Sequence, residues 1–240
     1  MKAVILVGGL GTRLRPYTFT IPKPLLPFGE RPILQCIIEH LRKFDIADII
    51  LATGYHAELI QAVCGDGSRF DVRIRYVHEE KSLGTAGPLT LLRDLIDPDE
   101  LIVVMNGDII TDLNFTAFVS FSRSHDFDLT VGYTRYVYQS PFGVLKIEDD
   151  EVHAIEEKPS TEYAISGGIY TMKGSVLGYV PTNTFFTIPQ LIEVLIASGR
   201  RVGAYDIKEY WIGLESVAHF DEAMKHVDES GLEVARAANR

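Results

Sequence analysis

Cysteine is scarce in this chain: its 240 residues include only Cys36 and Cys64, with no CxxC spacing. That excludes a disulfide framework and a cysteine-built zinc site, and two isolated thiols fit a reducing compartment. Long apolar runs are missing too. The densest, Ala3 to Val7, Ile49 to Ala52 and Leu101 to Met105, fall far short of the ~18 residues of a membrane span. Lys2 opens directly into a strand-like run with no basic leader, long apolar core or cleavage site, so neither a secretory signal nor a membrane partner is expected, and the expected location is cytoplasmic. Positive charge is also in deficit. Twenty-three Lys and Arg against 33 Asp and Glu give a net charge of −10, which disfavours non-specific binding to nucleic acid or anionic membranes. The seven histidines form no HxxxH pair and GxSxG is absent, so zinc and serine-hydrolase chemistry lack support.

What is present reads as one α/β domain over residues 1–240, since neither a Gly/Ser-rich linker nor a repeat divides it. Short β-branched runs alternate with amphipathic stretches, the pattern of helices layered over a largely parallel sheet. Strands are expected at Lys2 to Val7, Asp48 to Ala52, Arg73 to Val77, Leu101 to Met105 and Leu129 to Tyr133. Later strand signals around Gly143 to Ile147, Val152 to Ile155, Ile165 to Thr171 and Val202 to Ile207 suggest a mixed sheet. Helices are expected after Pro32, placed at a first helical position, and at Ala57 to Cys64, Ala86 to Leu95, Thr116 to Arg123, Pro189 to Ser198 and Val217 to Val227. The acidic run Glu148 to Glu151 reads as a solvated hairpin turn. The polar tail, 229–240, is expected to fray.

One connection is abnormal. Between Gly8 and Arg31 stand Pro16, Pro22, Pro24 and Pro27 with Gly8, Gly9, Gly11 and Gly29, a composition expected to sustain neither helix nor strand. Loops of that length inside a compact domain are usually functional. Residues 1–31 hold Lys2, Arg13, Arg15, Lys23 and Arg31 against Glu30 alone, a local charge of +4 in a chain whose remainder carries −14. The segment therefore reads as a phosphate-binding strand and loop: glycines let backbone N–H groups approach phosphate oxygens, and Arg13 and Lys23 on a proline-stiffened chain supply a preorganised clamp. It is not a P-loop, which needs GxxxxGK followed by Ser or Thr. Nor is it a dinucleotide fingerprint, because no third glycine opens a helix.

The run Gly8-Gly-Leu-Gly-Thr-Arg-Leu-Arg-Pro, followed by Thr18 and Pro22-Lys-Pro-Leu, resembles the signature of the sugar-phosphate nucleotidylyltransferases. Similarity continues in the same order through Leu83-Gly-Thr-Ala-Gly-Pro-Leu, Asn106-Gly-Asp108, Phe142-Gly-Val, Glu157-Lys-Pro159, Gly167-Gly-Ile-Tyr170 and Trp211. The longer members' left-handed hexapeptide β-helix is not seen here. The resemblance implies a Rossmann-like three-layer α/β/α sandwich with a mixed, mostly parallel sheet. It also implies transfer of a nucleotidyl group from an NTP to a sugar 1-phosphate, giving an NDP-sugar and pyrophosphate, and homo-oligomers are common in that family.

By the same resemblance, Gly8, Gly9, Gly11, Thr12, Arg13, Gly84 and Thr85 bind the nucleotide, and Arg13, Lys23 and Asp108 act in catalysis. Gly143, Glu157, Lys158, Ser166 and Gly168 face the sugar phosphate. Asp108, after the strand Leu101 to Met105, reads as an oxygen ligand for Mg²⁺, the implied cofactor. Glu79 stands where thymidylyl- and uridylyl-transferring relatives tend to carry Gln. A carboxylate only accepts hydrogen bonds, which suits the two donors of guanine's Watson–Crick edge, and the Leu83 run resembles mannose-1-phosphate guanylyltransferases, so GTP is the expected nucleotide.

The pattern is broken in two places. Where Trp-x-Asp-x-Gly supplies a second metal ligand, this chain has Trp211-Ile212-Gly213-Leu214-Glu215. A strand continuing through Trp211 would place Glu215 on the same side as Gly213 and make it a candidate substitute ligand. Ser166 replaces a common Asn, which admits a heptose or another cyclic polyol phosphate as acceptor. Two other readings stay open: thymidylyl or uridylyl specificity, and a nucleotide-sugar-binding regulatory protein that has lost turnover.

Overall fold

Apolar residues in this chain run unbroken over five or six positions or recur at helical spacing, and strands and helices follow accordingly. The computed structural model describes residues 1–230. Its strands are β1 (Lys2–Leu6), β2 (Pro27–Phe28), β3 (Arg31–Pro32), β4 (Asp48–Thr53), β5 (Arg73–His78), β6 (Leu101–Asn106), β7 (Ile109–Thr111), β8 (Leu129–Gln139), β9 (Val144–Glu148), β10 (Glu151–Glu156), β11 (Ser160–Lys173), β12 (Val202–Asp206) and β13 (Trp211–Gly213). The α-helices are α1 (Ile33–Lys43), α2 (Ala57–Cys64), α3 (Phe115–Ser124), α4 (Ile188–Ala197) and α5 (Val217–Ser230).

Seven strands make the central sheet in the order β12-β8-β11-β6-β1-β4-β5. Strand β1 is parallel to β4 and β6, β4 to β5 and β8 to β12, whereas β11 runs antiparallel to β6 and β8. The mixed, mostly parallel sheet read from the sequence is thus observed. Strands β1, β4 and β6 are covered on both faces, which is why they read as nearly continuous apolar runs. Within β1, Ala3 and Ile5 join one core and Val4 the other, the period-two alternation of a strand. Helices α1, α2, α3 and α5 pack on the first face through Ile37, Ile60, Phe118 and Ala223. On the second face lie α4 and two 3₁₀ helices, Gly87–Leu92 and Gly174–Tyr179, through Leu191, Leu89 and Leu177. The result is a three-layer α/β/α sandwich, and each fully buried Leu, Ile or Phe stabilises it by roughly 1.5–3 kcal/mol.

Local chemistry corrects several sequence expectations. The long loop carries three single 3₁₀ turns, Thr12–Leu14, Tyr17–Phe19 and Lys23–Leu25, and the two-residue ladder β2–β3, so it is less irregular than its proline content suggests. Pro32 is not the first helical residue of α1. Its pairing with Pro27 keeps it extended at ψ 148°, and it becomes the N-cap. The helix expected at Ala86 to Leu95 is the 3₁₀ helix Gly87–Leu92: Pro88 offers no amide, and the Thr90 hydroxyl donates to Gly87 O at 2.8 Å, occupying the carbonyl that an α-helix would pair with residue 91. Strand β8 continues to Gln139 and β11 begins at Ser160, so the two extend beyond the sheet as a ribbon that carries the β9–β10 hairpin. Asp149 and Asp150, both at positive φ, turn that hairpin, in accord with the solvated acidic turn. Glu229 and Ser230 close α5, and the remainder of the tail expected to fray lies outside the described residues.

Candidate active site

The carboxyl ends of β1, β4, β5 and β6 form one edge of the sheet, and each releases a residue singled out above or its support. Strand β1 leads into Gly8, β4 into Gly54, β5 into Glu79 and β6 into Asp108. The order of strands reverses at β1, the place where open α/β sheets bind ligands. Main-chain bonds fix the four exits against one another: Val7 N to Ala52 O at 2.9 Å, Glu79 N to Thr53 O at 2.9 Å, and Gly107 N to Leu6 O at 3.0 Å.

The glycines of the first loop play different parts. Gly9 is exposed, and a methyl built on it meets no atom within 4 Å, so packing leaves its backbone open to an approaching group. Gly11 adopts φ +59°, and a methyl there would lie 2.9 Å from Thr18 Cγ2, so both conformation and space demand glycine. Buried Thr18 holds this turn by donating its hydroxyl to Gly11 O at 2.8 Å. A methyl on Gly8 would collide with the Glu79 carboxylate.

The two loop cations are both engaged by carboxylates. Lys23 Nζ donates to Asp108 Oδ2, and that pair is largely shielded, with side-chain exposures of 12% and 27%. Arg13 Nη1 pairs with Glu215 Oε2 in a more open setting, at 69% and 47%. The structure thus brings Arg13, Lys23, Asp108 and Glu215 together across the end of the sheet. The route taken by Glu215 differs from the expected one. Strand β13 ends at Gly213, which pairs with Ile109 of β7; the chain then turns, Leu214 N donating to Asp108 O at 2.9 Å. Glu215 therefore reaches Arg13 from a turn and not from a continuing strand. Gly213 itself has room, since a methyl there meets nothing closer than 3.8 Å.

Glu79 is buried, and its Oε2 accepts from Leu83 N at 2.9 Å. Burial raises its carboxyl above the ordinary value of 4.5, against the opposing pull of the Leu83 amide. One of its two oxygens is thus already committed to shaping the Leu83 loop, although each carboxylate oxygen can accept more than one bond. That loop is clamped by a segment that carries no recognisable motif: Phe186 N donates to Leu83 O at 2.8 Å, and Phe186 O accepts from Ala86 and Gly87 at 2.9 and 3.0 Å. Gly84, at φ +81°, has Phe186 O where a methyl would stand, 2.6 Å away. The Thr85 hydroxyl accepts from Ile188 N at 2.9 Å, so part of its hydrogen-bonding capacity goes to the start of α4.

The residues expected to face the sugar phosphate fall into two groups. Gly168 occupies a bulge of β11 at φ +66°, packed so closely on Asn106 that a methyl would lie 2.6 Å from its Nδ2, and Ser166 Oγ lies 2.9 Å from the Tyr170 hydroxyl. Trp211 Nε1 donates to Gly167 O at 2.8 Å and ties this bulge to β13. Gly143, Glu157 and Lys158 sit instead at the base of the hairpin: a methyl on Gly143 would lie 3.0 Å from Glu157 Oε2, and Lys158 takes φ +47°. The Lys158 ammonium has no ion-pair partner among the described residues.

Asp108 is a hard oxygen donor that stays partly accessible at the sheet's ligand-binding edge, and its carboxylate, now paired with Lys23, fits a Mg²⁺ ion whose remaining positions phosphate oxygens and water would fill. Among the described residues no group of three His, Cys, Asp or Glu is placed to hold a metal unaided. No helix among them is long and apolar enough to cross a membrane.

Comparison with known proteins bears on this arrangement. The family model described as Nucleotidyl transferase matches residues 2–230. The chain is 34% identical over 220 residues to a mannose-1-phosphate guanylyltransferase catalytic subunit beta of Danio rerio, covering 89% of this chain and 61% of that protein. It is 35% identical over 221 residues to a mannose-1-phosphate guanyltransferase of Schizosaccharomyces pombe, covering 88% and 60%. The chain therefore spans about three-fifths of the length of these relatives. Among solved structures, HddC from Yersinia pseudotuberculosis complexed with GMP-PN aligns with a TM-score of 0.73 at 25% identity, covering 94% of this chain and 98% of that one. A Bacillus anthracis protein provisionally assigned as a glucose-1-phosphate thymidylyltransferase aligns over 100% and 97% with a TM-score of 0.76 at 27% identity.

Proposed function

The chain belongs to the nucleotidyl transferase family, and on that premise we propose that it transfers a nucleotidyl group, GMP from GTP in the preferred form, to a sugar 1-phosphate, releasing pyrophosphate. One observation carries the reading: an open glycine backbone, two cations and a carboxylate from distant parts of the chain meet at the ligand-binding edge of the sheet.

The chemistry follows from these groups. An oxygen of the sugar phosphate attacks the α-phosphorus, the new P–O bond forms, and the bond to the β-phosphate oxygen breaks in line. A phosphate monoester has a second pKa of about 6 and is largely dianionic at neutral pH, so no side chain is needed to remove a proton. The protein's work is alignment and charge neutralisation. Backbone N–H groups around Gly9, Gly11 and Thr12 cradle the triphosphate, Arg13 pairs with its outer phosphates, and Lys23 spans the reacting ones. Asp108 would hold Mg²⁺, which supplies charge neutralisation on the phosphate oxygens. The remaining lone pairs of Glu79 accept from guanine, a preference supported by the likeness to mannose-1-phosphate guanylyltransferases. Lys158 and Glu157 engage the sugar phosphate and its hydroxyls, with Gly143, Ser166 and Gly168 shaping that side. The acceptor is a hexose or heptose 1-phosphate, or a similar cyclic polyol phosphate.

The test is a matrix of GTP, ATP, UTP and dTTP against a panel of sugar 1-phosphates with Mg²⁺, read by pyrophosphate release and product mass. Release that needs both substrates and is fastest with GTP supports the proposal. Nucleotide-induced thermal stabilisation without release from any pair supports a regulatory binding protein instead, the reading that glycine at position 213 favours.

A further inference from the structure

Glu215 stands out because its carboxylate contacts a phosphate-binding candidate and nothing else: among the described residues its only side-chain partner is Arg13. Its backbone is well fixed. Leu214 N donates to Asp108 O at 2.9 Å, and His219 Nδ1 lies 2.8 Å from Gly213 O, so the turn that carries Glu215 is anchored to the site and to α5. The side chain itself is half-exposed, and that of Arg13 is more exposed still. Glu215 is thus a tethered anion set on a cation that would hold the triphosphate.

We propose that Glu215 is an internal substitute for the nucleotide phosphates, which Arg13 must release when the triphosphate binds and to which it returns when pyrophosphate leaves. The proposal rests on the nucleotidyl-transfer reading and assigns Glu215 as a positioning residue acting through Arg13, with no part as a metal ligand. The physical argument is one of competition. An exposed ion pair is weak, so a polyanion with several negative charges displaces the single carboxylate, whereas an ion of lower charge does so poorly. The contact therefore holds the Arg13 side chain near its working position, favours triphosphate over lesser anions, and weakens the hold on the departing pyrophosphate. A carboxylate two residues after Gly213, carried past the end of β13 by the turn, is placed to reach the loop cation.

The test is isothermal titration of the protein with GTP, and separately with inorganic pyrophosphate, in the presence of EDTA. Loss of the competing pair and of a nearby negative charge should let Glu215→Gln bind both about 5- to 20-fold more tightly than the parent. The gain should shrink in 1 M salt, where the Debye length falls to about 3 Å. Glu215→Asp, shorter by one methylene but still charged, should lie between. In an Arg13→Ala background the same Glu215→Gln change should yield much less. Unchanged affinity in Glu215→Gln overturns the proposal, as does a gain of the same size without Arg13. A raised Mg²⁺ requirement with unchanged metal-free affinity also overturns it, by making Glu215 a metal ligand. These results leave nucleotidyl transfer intact if the parent binds GTP; failure of the parent to bind GTP with or without Mg²⁺ overturns both.

Discussion

Gly9→Ala separates what the loop does for the ligand from what it does for the fold. A methyl on Gly9 has no neighbour within 4 Å, and Gly9 is not at positive φ, so the substitution strains nothing. Its cost to stability should stay within about 0.5 kcal/mol, a shift of no more than about 2 °C in Tm for a chain of this size. Gly84→Ala is the contrasting case. A left-handed backbone conformation costs a non-glycine residue roughly 1–2 kcal/mol, and forcing a methyl to within 2.6 Å of Phe186 O adds an overpacking cost of roughly 1–3 kcal/mol. The sum, about 2–5 kcal/mol, lowers Tm by about 4–20 °C. Binding should follow the opposite order in one respect. If phosphate oxygens approach the Gly9 backbone, the methyl removes one charge-assisted hydrogen bond worth about 1.5–3 kcal/mol, so GTP affinity falls roughly 10- to 100-fold in a protein that melts like the parent. Differential scanning fluorimetry and calorimetric GTP titration on the same samples provide both readings. A Gly9→Ala protein that binds GTP as tightly as the parent would refute the claim that this backbone is left open for the nucleotide.

Other expectations follow from the same geometry. Arg13→Ala should keep the parent's Tm, because its side chain is exposed, yet lower kcat by about 10²-fold, the scale of losing one preorganised donor. Asp108→Asn should abolish Mg²⁺-dependent turnover, while Gly213→Asp, which the space around Gly213 admits, should lower the Mg²⁺ concentration for half-maximal activity by about tenfold, or about 1.4 kcal/mol; activity measured across a Mg²⁺ titration decides both. Burial holds the Glu79 carboxyl above 4.5, so the folded protein keeps that proton to higher pH than the unfolded chain does. The stability this group contributes is therefore present below pH 4.5 and is lost as pH rises through the raised folded value, a decline that thermal melts of Glu79→Gln should lack. If Glu79 accepts from guanine as proposed, only its ionised form offers both oxygens as acceptors, so the GTP-over-UTP ratio should rise with pH across the same window in the parent and stay flat in Glu79→Gln.

The residues show why some of this was legible and some was not. Strands β1, β4 and β6 were readable because burial on both faces leaves an unbroken apolar run with no helical spacing to compete. Ala86 to Leu95 reads as α-helix, whereas the structure holds a 3₁₀ helix at Gly87–Leu92, because apolar spacing does not distinguish the two once a threonine hydroxyl takes a main-chain carbonyl. The extensions of β8 and β11 carry mostly exposed residues, so no core-facing period marked them. Gly8, Gly11 and Asp108 could be singled out as candidates because each lies in a short motif that follows a strand, and Lys23 because the Pro22-Lys-Pro-Leu run marks it within the loop. The clamp of Phe186 on the Leu83 loop and the grip of Arg13 on Glu215 join segments far apart in sequence by contacts that no local pattern encodes.

The central claim is that Lys23, held beside Asp108 at the end of β6, stabilises the transfer of a nucleotidyl group. Exchange of labelled pyrophosphate into GTP, measured with the matching GDP-sugar and Mg²⁺ for the parent and for Lys23→Ala, tests it most directly. The account predicts robust exchange by the parent and a loss of at least ~10²-fold in a Lys23→Ala protein that still folds; equal exchange by the two would contradict it.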